Sequence, residues 1–154
     1  MAQGDVVFFD QFLVDANEGL HDLEADTVKV GLVDNVTVPA ATTADPRWGA
    51  GGTTNFKTNE VTPGGNYAVN GFDITTGASV TLTGGAAIFD STDNPTWAQN
   101  ASNPTDATWG IIYNDTTAGK QAVGYVDLGG AFNMTTGDLT ITWNATGIFS
   151  LDQA

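Results

Sequence analysis

Cysteine is absent from this chain, and histidine occurs once, as His21. The absence of cysteine excludes disulfides, thiolate metal ligands and cysteine nucleophiles. A Ser–His–Asp site needs a serine held beside the histidine, yet no Gly-x-Ser-x-Gly sequence is present. Zinc sites need three or four protein ligands, which one histidine without cysteine does not offer. We therefore interpret His21 as a surface or helix-end residue, and we expect no catalytic residue, no metal, no cofactor and no enzymatic activity.

Basic residues are scarce: Lys and Arg number 4, Asp and Glu number 18, and the formal net charge is -14. Nucleic-acid binding depends on Lys and Arg to replace phosphate counterions, so the sequence predicts no nucleic-acid partner. Anionic membrane surfaces also repel such a chain, and we expect no membrane association. The negative charge has two interpretations. It keeps a protein dispersed at high concentration, or it matches a basic surface on a partner.

Long apolar runs are missing as well. The early run from Val6 to Phe9 is bracketed by Asp5 and Asp10, and it is too short for the core of a secretory signal. No stretch approaches the ~20 apolar residues that cross a bilayer. The sequence therefore predicts a protein that is made and folded in a cytoplasm.

Strand-forming and turn-forming residues dominate what is present. Hydrophobic residues make up 41% of the chain, charged residues 14%, and glycine occurs 19 times. This composition can bury a core, and it suits strands and turns better than long helices. We interpret residues 1–154 as one β-rich structural domain.

One short helix is predicted over residues 5–18. Helical spacing relates Val6, Phe9, Leu13 and Ala16, with Phe12 beside them. Gly4 and Asp5 stand where the helix would be capped, and Gly19 stands where a glycine often follows a helix. The apolar stripe either packs against the protein's own sheet or docks against a neighbouring subunit.

Period-two alternation predicts a series of short strands. They span residues 27–33, 71–75, 79–83, 86–90, 108–113, 122–128 and 139–143, with a short strand near residues 148–151. Gly84 and Gly85 separate two of them at hairpin spacing. The pattern predicts a mainly β fold, namely one antiparallel β-sandwich or jelly-roll-like domain with a short N-terminal helix and long loops.

Two aperiodic segments, residues 34–60 and 91–106, read as long loops that carry aromatic residues. An exposed tryptophan on such a loop is a contact anchor, although Trp48 could equally fold back onto the core edge. Trp109 and Trp143 lie inside predicted strands and are expected in the core. The candidate partner-contact residues are Phe9, Phe12, Arg47, Trp48, Phe56 and Trp97.

Acidic residues cluster at Asp22, Glu24 and Asp26. They could offer oxygen ligands to calcium, but the EF-hand order of acids, glycine and a distal glutamate is absent. A solvated acidic turn is the other interpretation.

Three segments carry a resemblance to a known family. They are residues 23–33 (LEADTVKVGLV), residues 107–115 with 122–129 (ATWGIIYND and AVGYVDLG), and residues 137–151 (GDLTITWNATGIFSL), where Leu139, Ile141 and Trp143 alternate with polar residues. In this order they resemble a group of small virion proteins of tailed bacteriophages, the head decoration or cement proteins. The resemblance covers residues from about 8 to 151, and it is a pattern of strands and turns rather than a catalytic signature.

The resemblance implies a structural virion protein on the outer head surface that bridges and stabilises major capsid protein subunits. A small domain that clamps a shell gains by contacting several subunits at once, so we expect a homotrimer. The alternative is a tail- or fibre-associated module that binds carbohydrate or the host surface through Trp48, Trp97 and Tyr67. A glycosidase, which needs only two carboxylates, is a third hypothesis.

Overall fold

The structure is a computed structural model that describes residues 5–152. The protein is mainly β, with 39% strand and 10% helix. The elements are β1 (Val6–Phe8), α1 (Asp10–Asn17), β2 (Val28–Val33), β3 (Pro46–Arg47), β4 (Thr54–Asn55), β5 (Phe72–Asp73), β6 (Ala78–Thr83), β7 (Ala86–Ser91), β8 (Thr96–Trp97), β9 (Ala107–Asn114), β10 (Ala122–Phe132), β11 (Leu139–Thr140) and β12 (Phe149–Asp152), with 3-10 helices at Phe56–Asn59 and Thr75–Gly77.

A five-stranded antiparallel sheet in the order β1-β10-β9-β2-β5 forms the centre. Its inner strands β2 and β9, and β10 as far as Leu128, are buried nearly continuously instead of alternating between buried and exposed residues. This pattern shows that both faces of the sheet are covered.

The first face is covered by α1 and the smaller sheets. Val30 of β2 and Ile112 of β9 pack there in one core cluster with Phe89 of β7, Trp97 of β8 and Leu139 of β11. A three-stranded sheet β12-β7-β6 and a two-stranded sheet β11-β8 supply this layer. The fold is therefore sandwich-like, and the prediction of a mainly β, antiparallel fold with one short N-terminal helix is confirmed.

The second face is covered by the segment that runs from β2 to the first 3-10 helix. Trp48 and Phe56 from this segment pack against Ile111, Tyr113 and Tyr125. The prediction of a long loop over residues 34–60 was therefore incomplete, because this connection contains β3, β4 and a 3-10 helix and contributes Trp48 and Phe56 to the second core cluster.

The hairpin β6–β7 turns at Gly84 and Gly85, whose φ angles are +60° and +90°. Two consecutive positive φ values define the two-residue turn that matches the twist of a hairpin, and glycine adopts them without a steric penalty. The predicted hairpin is confirmed.

The N-terminal prediction was wrong in part. Val6, Val7 and Phe8 form strand β1 against β10, and the helix begins only at Asp10. Val6, Val7 and Phe8 are apolar on both faces of the strand, which suits an edge strand of a sheet that is covered on both sides. This packing decides the structure, although the spacing of the apolar residues also fits a helix. Gly19 does follow the helix with a φ of +73°, as predicted, whereas Gly4 lies outside the described residues.

The strand predicted over residues 139–143 is shorter than expected. β11 ends at Thr140, and the backbone N–H of Ile141 donates to the carbonyl of Pro95 at 2.9 Å. The N–H of Trp143 donates to the side chain of Asn94 at 3.0 Å, so the segment follows a loop rather than a strand.

Candidate functional site

Five of the six candidate contact residues are buried in the protein's own core. Phe9, Phe12, Trp48, Phe56 and Trp97 are each at most 3% exposed. Their side chains therefore offer no surface to a partner in this conformation. The expected exposure of these aromatic residues is not observed, and Trp48 follows the alternative in which it folds back onto the core.

Trp48 shows the physical reason most clearly. Its ring stacks on Tyr113 with centroids 4.9 Å apart and an interplanar angle of 11°, and its Nε1–H donates to Asn70 Oδ1 at 3.3 Å. Gly31 in β2 leaves the space for the ring, because a Cβ atom at that position would lie 2.3 Å from Trp48 Cη2. Gly31 and Trp48 are far apart in the sequence, so the sequence did not indicate that the ring would pack against the glycine.

Arg47 is half-buried and is held by its own chain. Its Nε–H donates to Asp45 Oδ1 at 2.9 Å, and its Nη2 group donates to Asp45 Oδ2 at 3.3 Å. The guanidinium also lies against Gly119, where a Cβ atom would clash with Nη1. These contacts hold the guanidinium against the protein's own chain. Arg47 therefore fixes the connection between β2 and the first 3-10 helix instead of extending toward a partner.

The other three basic side chains are also bound internally. Lys29 Nζ lies 2.7 Å from Asp115 Oδ2, Lys120 pairs with the other oxygen of Asp115, and Lys57 donates to Asn70. Burial alone raises the pKa of Asp115, but hydrogen bonds from Lys120 and Lys29 and their charges outweigh it and lower that pKa. All four Lys and Arg side chains of the chain are thereby held by intramolecular contacts, three with carboxylates and one with the amide of Asn70.

His21 is not a surface side chain, which corrects the sequence interpretation. Its imidazole is 1% exposed and packs against Phe12 with ring centroids 5.1 Å apart. Nε2 lies 4.0 Å from Asp15 Oδ2 and has no hydrogen-bond partner, while Nδ1 lies 3.3 Å from the side chain of Asn114. Burial lowers the pKa of His21, and the charges of Asp15 and Asp26 oppose that shift in part.

The acidic residues around His21 shape the chain locally. Asp22 Oδ1 accepts from the N–H of Ala25 at 3.2 Å, and Asp26 Oδ2 accepts from the N–H of Asp22 at 2.9 Å. Both contacts close a turn, as acidic side chains often do. Within residues 5–152, no group of three or more His, Asp or Glu residues is placed to hold a metal ion.

Strand β6 carries the most exposed apolar side chains of the β-sheets. Leu82 is 80% exposed and Val80 is 41% exposed, on the same face of the strand. The cross-strand partners Ala87 and Phe89 lie on that face too, but only Phe89 is fully covered. The sequence predicted the strand from its alternation, yet it gave no sign that the apolar face would remain uncovered.

A groove adjoins this face, between α1 and the sheet β12-β7-β6. It consists of two hollows of about 670 and 520 Å³ that share Ala16 and Leu151. Leu13, which is 44% exposed, lines the first hollow, and Val80 lines the second. We call these two hollows the helix–strand groove. Together with β6 it forms the candidate contact surface.

No described helix is long and apolar enough to cross a membrane. Comparisons of the chain with protein-family models, with curated proteins and with solved structures find no match.

Proposed function

We propose that the protein is a structural component of a phage virion that binds the outer surface of the head and bridges subunits of the major capsid protein. The observation that carries this proposal is the uncovered apolar surface of β6, with Leu82 80% exposed and Val80 41% exposed. Side chains of this kind at an exposed sheet edge favour binding to another chain. The proposed role is non-enzymatic.

The charge distribution supports the outer side of the shell. The net charge of -14 is repelled by packaged DNA, and all four basic side chains are already occupied within the chain. A protein with this surface is more stable where it faces solvent and touches the shell through a limited apolar patch.

The energetic effect of such a contact is large when it is repeated. Covering a leucine side chain stabilises a contact by about 1.5–3 kcal/mol, so Leu82 with its neighbours can supply a few kcal/mol per copy. A ligand that binds only the assembled shell shifts the equilibrium toward that shell. Many copies therefore resist the outward pressure of the packaged genome.

The homotrimer remains part of the proposal. A trimer repeats one contact patch around an axis and touches several shell subunits at once. Removing residues 1–18 is a poor test, because the deletion also removes β1 and the buried Phe9 and Phe12. Val14 is 48% exposed on α1, and a Val14→Asp variant tests a helix-mediated contact without touching the core. Analytical ultracentrifugation should show a trimer that this variant weakens.

Virion composition tests the function itself. Quantitative mass spectrometry of purified virions should find this chain at a copy number close to that of the major capsid protein, and cryo-electron microscopy should place it outside the head. Presence in tails alone, at a few copies, would contradict the proposal. The sugar-binding alternative has no supporting observation here, because Trp48, Trp97 and Tyr67 are buried.

A further inference from the structure

Strand β6 ends its sheet, and within residues 5–152 no strand pairs with its second edge. The sheet order is β12-β7-β6, so β6 pairs with β7 on one side only. The two-residue turn makes Thr83 and Ala86 a hydrogen-bonded pair, and the hydrogen-bonded pairs alternate from there. The backbone N–H and C=O groups of Leu82 and Val80 therefore point away from β7, toward the free edge.

Nothing in the strand protects this edge. The residues of β6 are Ala, Ser, Val, Thr, Leu and Thr, without a charge or a proline, and they pair with β7 in continuous register. Edges that are not meant to pair usually carry lysine, proline or a bulge. An unprotected edge of this length is suited to receive an added strand.

The groove beside the edge provides places for apolar side chains. Val80 and Leu151 line one hollow with the buried Phe12, and Leu13 lines the other. A strand added next to β6 would point every second side chain toward this face of the sheet. Apolar residues at those alternate positions would cover Leu82 and Val80.

The charge around the groove selects the occupant. Exposed Asp22 and Glu24 line one hollow and exposed Asp152 lines the other, whereas no Lys or Arg lines either. At this acidic rim a second copy, with its own net charge of -14, is disfavoured, whereas the trimer contact tested above involves Val14, which lines neither hollow. A partner segment with basic residues is attracted instead.

We propose that β6 binds an extended segment of the partner protein as a fourth strand, that the segment carries apolar residues at alternate positions, and that basic residues flank them. This inference rests on the proposed function, since it names the chemistry of the shell segment that the protein would hold. Main-chain hydrogen bonds to Leu82 and Val80 supply the attachment, and the helix–strand groove and its acidic rim supply the specificity.

A peptide titration tests the inference with the intact protein. The probe is a capped peptide of alternating valine and threonine with two lysines at each end, and the control peptide has serine in place of valine. Isothermal titration calorimetry at about 0.15 M salt limits unspecific attraction between charges. The variant Leu82→Pro removes the outward N–H and the side chain, while Leu82→Thr removes only the apolar side chain. Val36→Thr is the matched control, because Val36 is 75% exposed away from this surface.

We expect the valine peptide to bind more tightly than the serine peptide. Leu82→Pro should weaken its binding roughly tenfold and Leu82→Thr roughly threefold, whereas Val36→Thr should change it by less than about twofold. Circular dichroism checks that each variant is folded, and Leu82→Thr keeps the test decisive if the proline disturbs the hairpin.

Equal binding of the two peptides, absence of binding, or equal effects of Leu82→Thr and Val36→Thr would overturn the inference. Dimers of the protein alone that Leu82→Thr dissociates would also overturn it, in favour of a second copy as the occupant. These results are independent of virion composition, so a protein found on heads with an unresponsive β6 would refute the docking mode and leave the proposed function intact.

Discussion

The close approach of Gly31 and Trp48 gives a sharp test of how the second core is built. A methyl group at position 31 would lie 2.3, 2.5 and 2.7 Å from three atoms of the Trp48 six-membered ring. Gly31 lies in the middle of β2, and its neighbours in β9 hold it in place. The ring in turn is stacked on Tyr113, so neither side can move freely. We therefore predict that Gly31→Ala destabilises the protein, although alanine normally suits a strand better than glycine.

The magnitude follows from overpacking. Forcing a methyl group into a filled core costs about 1–3 kcal/mol, and a clash with a ring that is itself stacked on Tyr113 favours the upper half of that range. For a chain of this size, 2 kcal/mol corresponds to a loss of about 4–8 °C in melting temperature. Trp48→Phe removes the three clashing atoms and leaves a gap at the same place. In the Trp48→Phe variant, Gly31→Ala should be neutral or slightly stabilising. The coupling energy between the two substitutions is then about 2 kcal/mol.

Urea unfolding of the four proteins, followed by far-ultraviolet circular dichroism, measures this cycle without relying on tryptophan fluorescence. Gly110→Ala is a useful comparison, because the nearest atoms to a Cβ atom there are Ile141 Cδ1 at 3.2 Å and Val30 Cγ1 at 3.4 Å. It should cost less than Gly31→Ala. An equal cost of Gly31→Ala with and without Trp48 would refute the explanation, since the effect would then not come from the ring.

Three further predictions concern stability. The pKa of His21 is lowered from 6.5 by burial, so the unfolded state takes up a proton at a higher pH than the folded state does. The stability that the neutral His21 contributes should therefore be complete above about pH 6.5 and decline below it. Urea midpoints measured between pH 7.5 and 5 should decline less for His21→Gln than for the unchanged protein. Trp143→Ala should cost about 3–5 kcal/mol in the same assay, because the side chain is buried and its Nε1–H donates to the carbonyl of Asp93 at 2.8 Å. Gly84→Ala should cost about 1 kcal/mol through its φ of +60° alone, because no atom lies within 4 Å of the added Cβ. Gly84→Asn should cost less, because asparagine tolerates a positive φ better than alanine. Equal shifts of the melting temperature for the two variants would argue against a backbone origin.

Local patterns predicted the strands well and their surroundings poorly. Runs of apolar and β-branched residues between turn residues identified β2, β6, β7, β9 and β10 to within a few residues, because such side chains suit a pleated sheet. The same local view misassigned Val6 to a helix, because a run of apolar residues fits either structure. Only the pairing of Val6 with Val126, far along the chain, decides between them.

The candidate surface could not be predicted for a related reason. The exposure of a side chain depends on what the rest of the chain places above it. Trp48 is buried because Gly31 leaves a space for its ring, and Leu82 is 80% exposed because little of the described chain, residues 5–152, covers it. The residues next to Trp48 and Leu82 in the sequence indicate neither the burial of the first nor the exposure of the second. Trp109 shows the intermediate case: it was expected in the core, but it is half-buried, and its Nε1–H donates to Asn35 Oδ1 at 3.0 Å.

The strand order of the central sheet has a consequence for synthesis. β1 and β2 are made first, but both pair with strands that emerge much later, through Val6 with Val126 and Val28 with Asn114. On the ribosome the early strands must therefore wait, with their edges open, until β9 and β10 have left the exit tunnel. Closing such long loops slows folding and lengthens the time in which unpaired strands can join neighbouring chains. We expect nascent chains that are truncated before β10 to aggregate, and the strong negative charge of the chain would limit that aggregation while folding is completed.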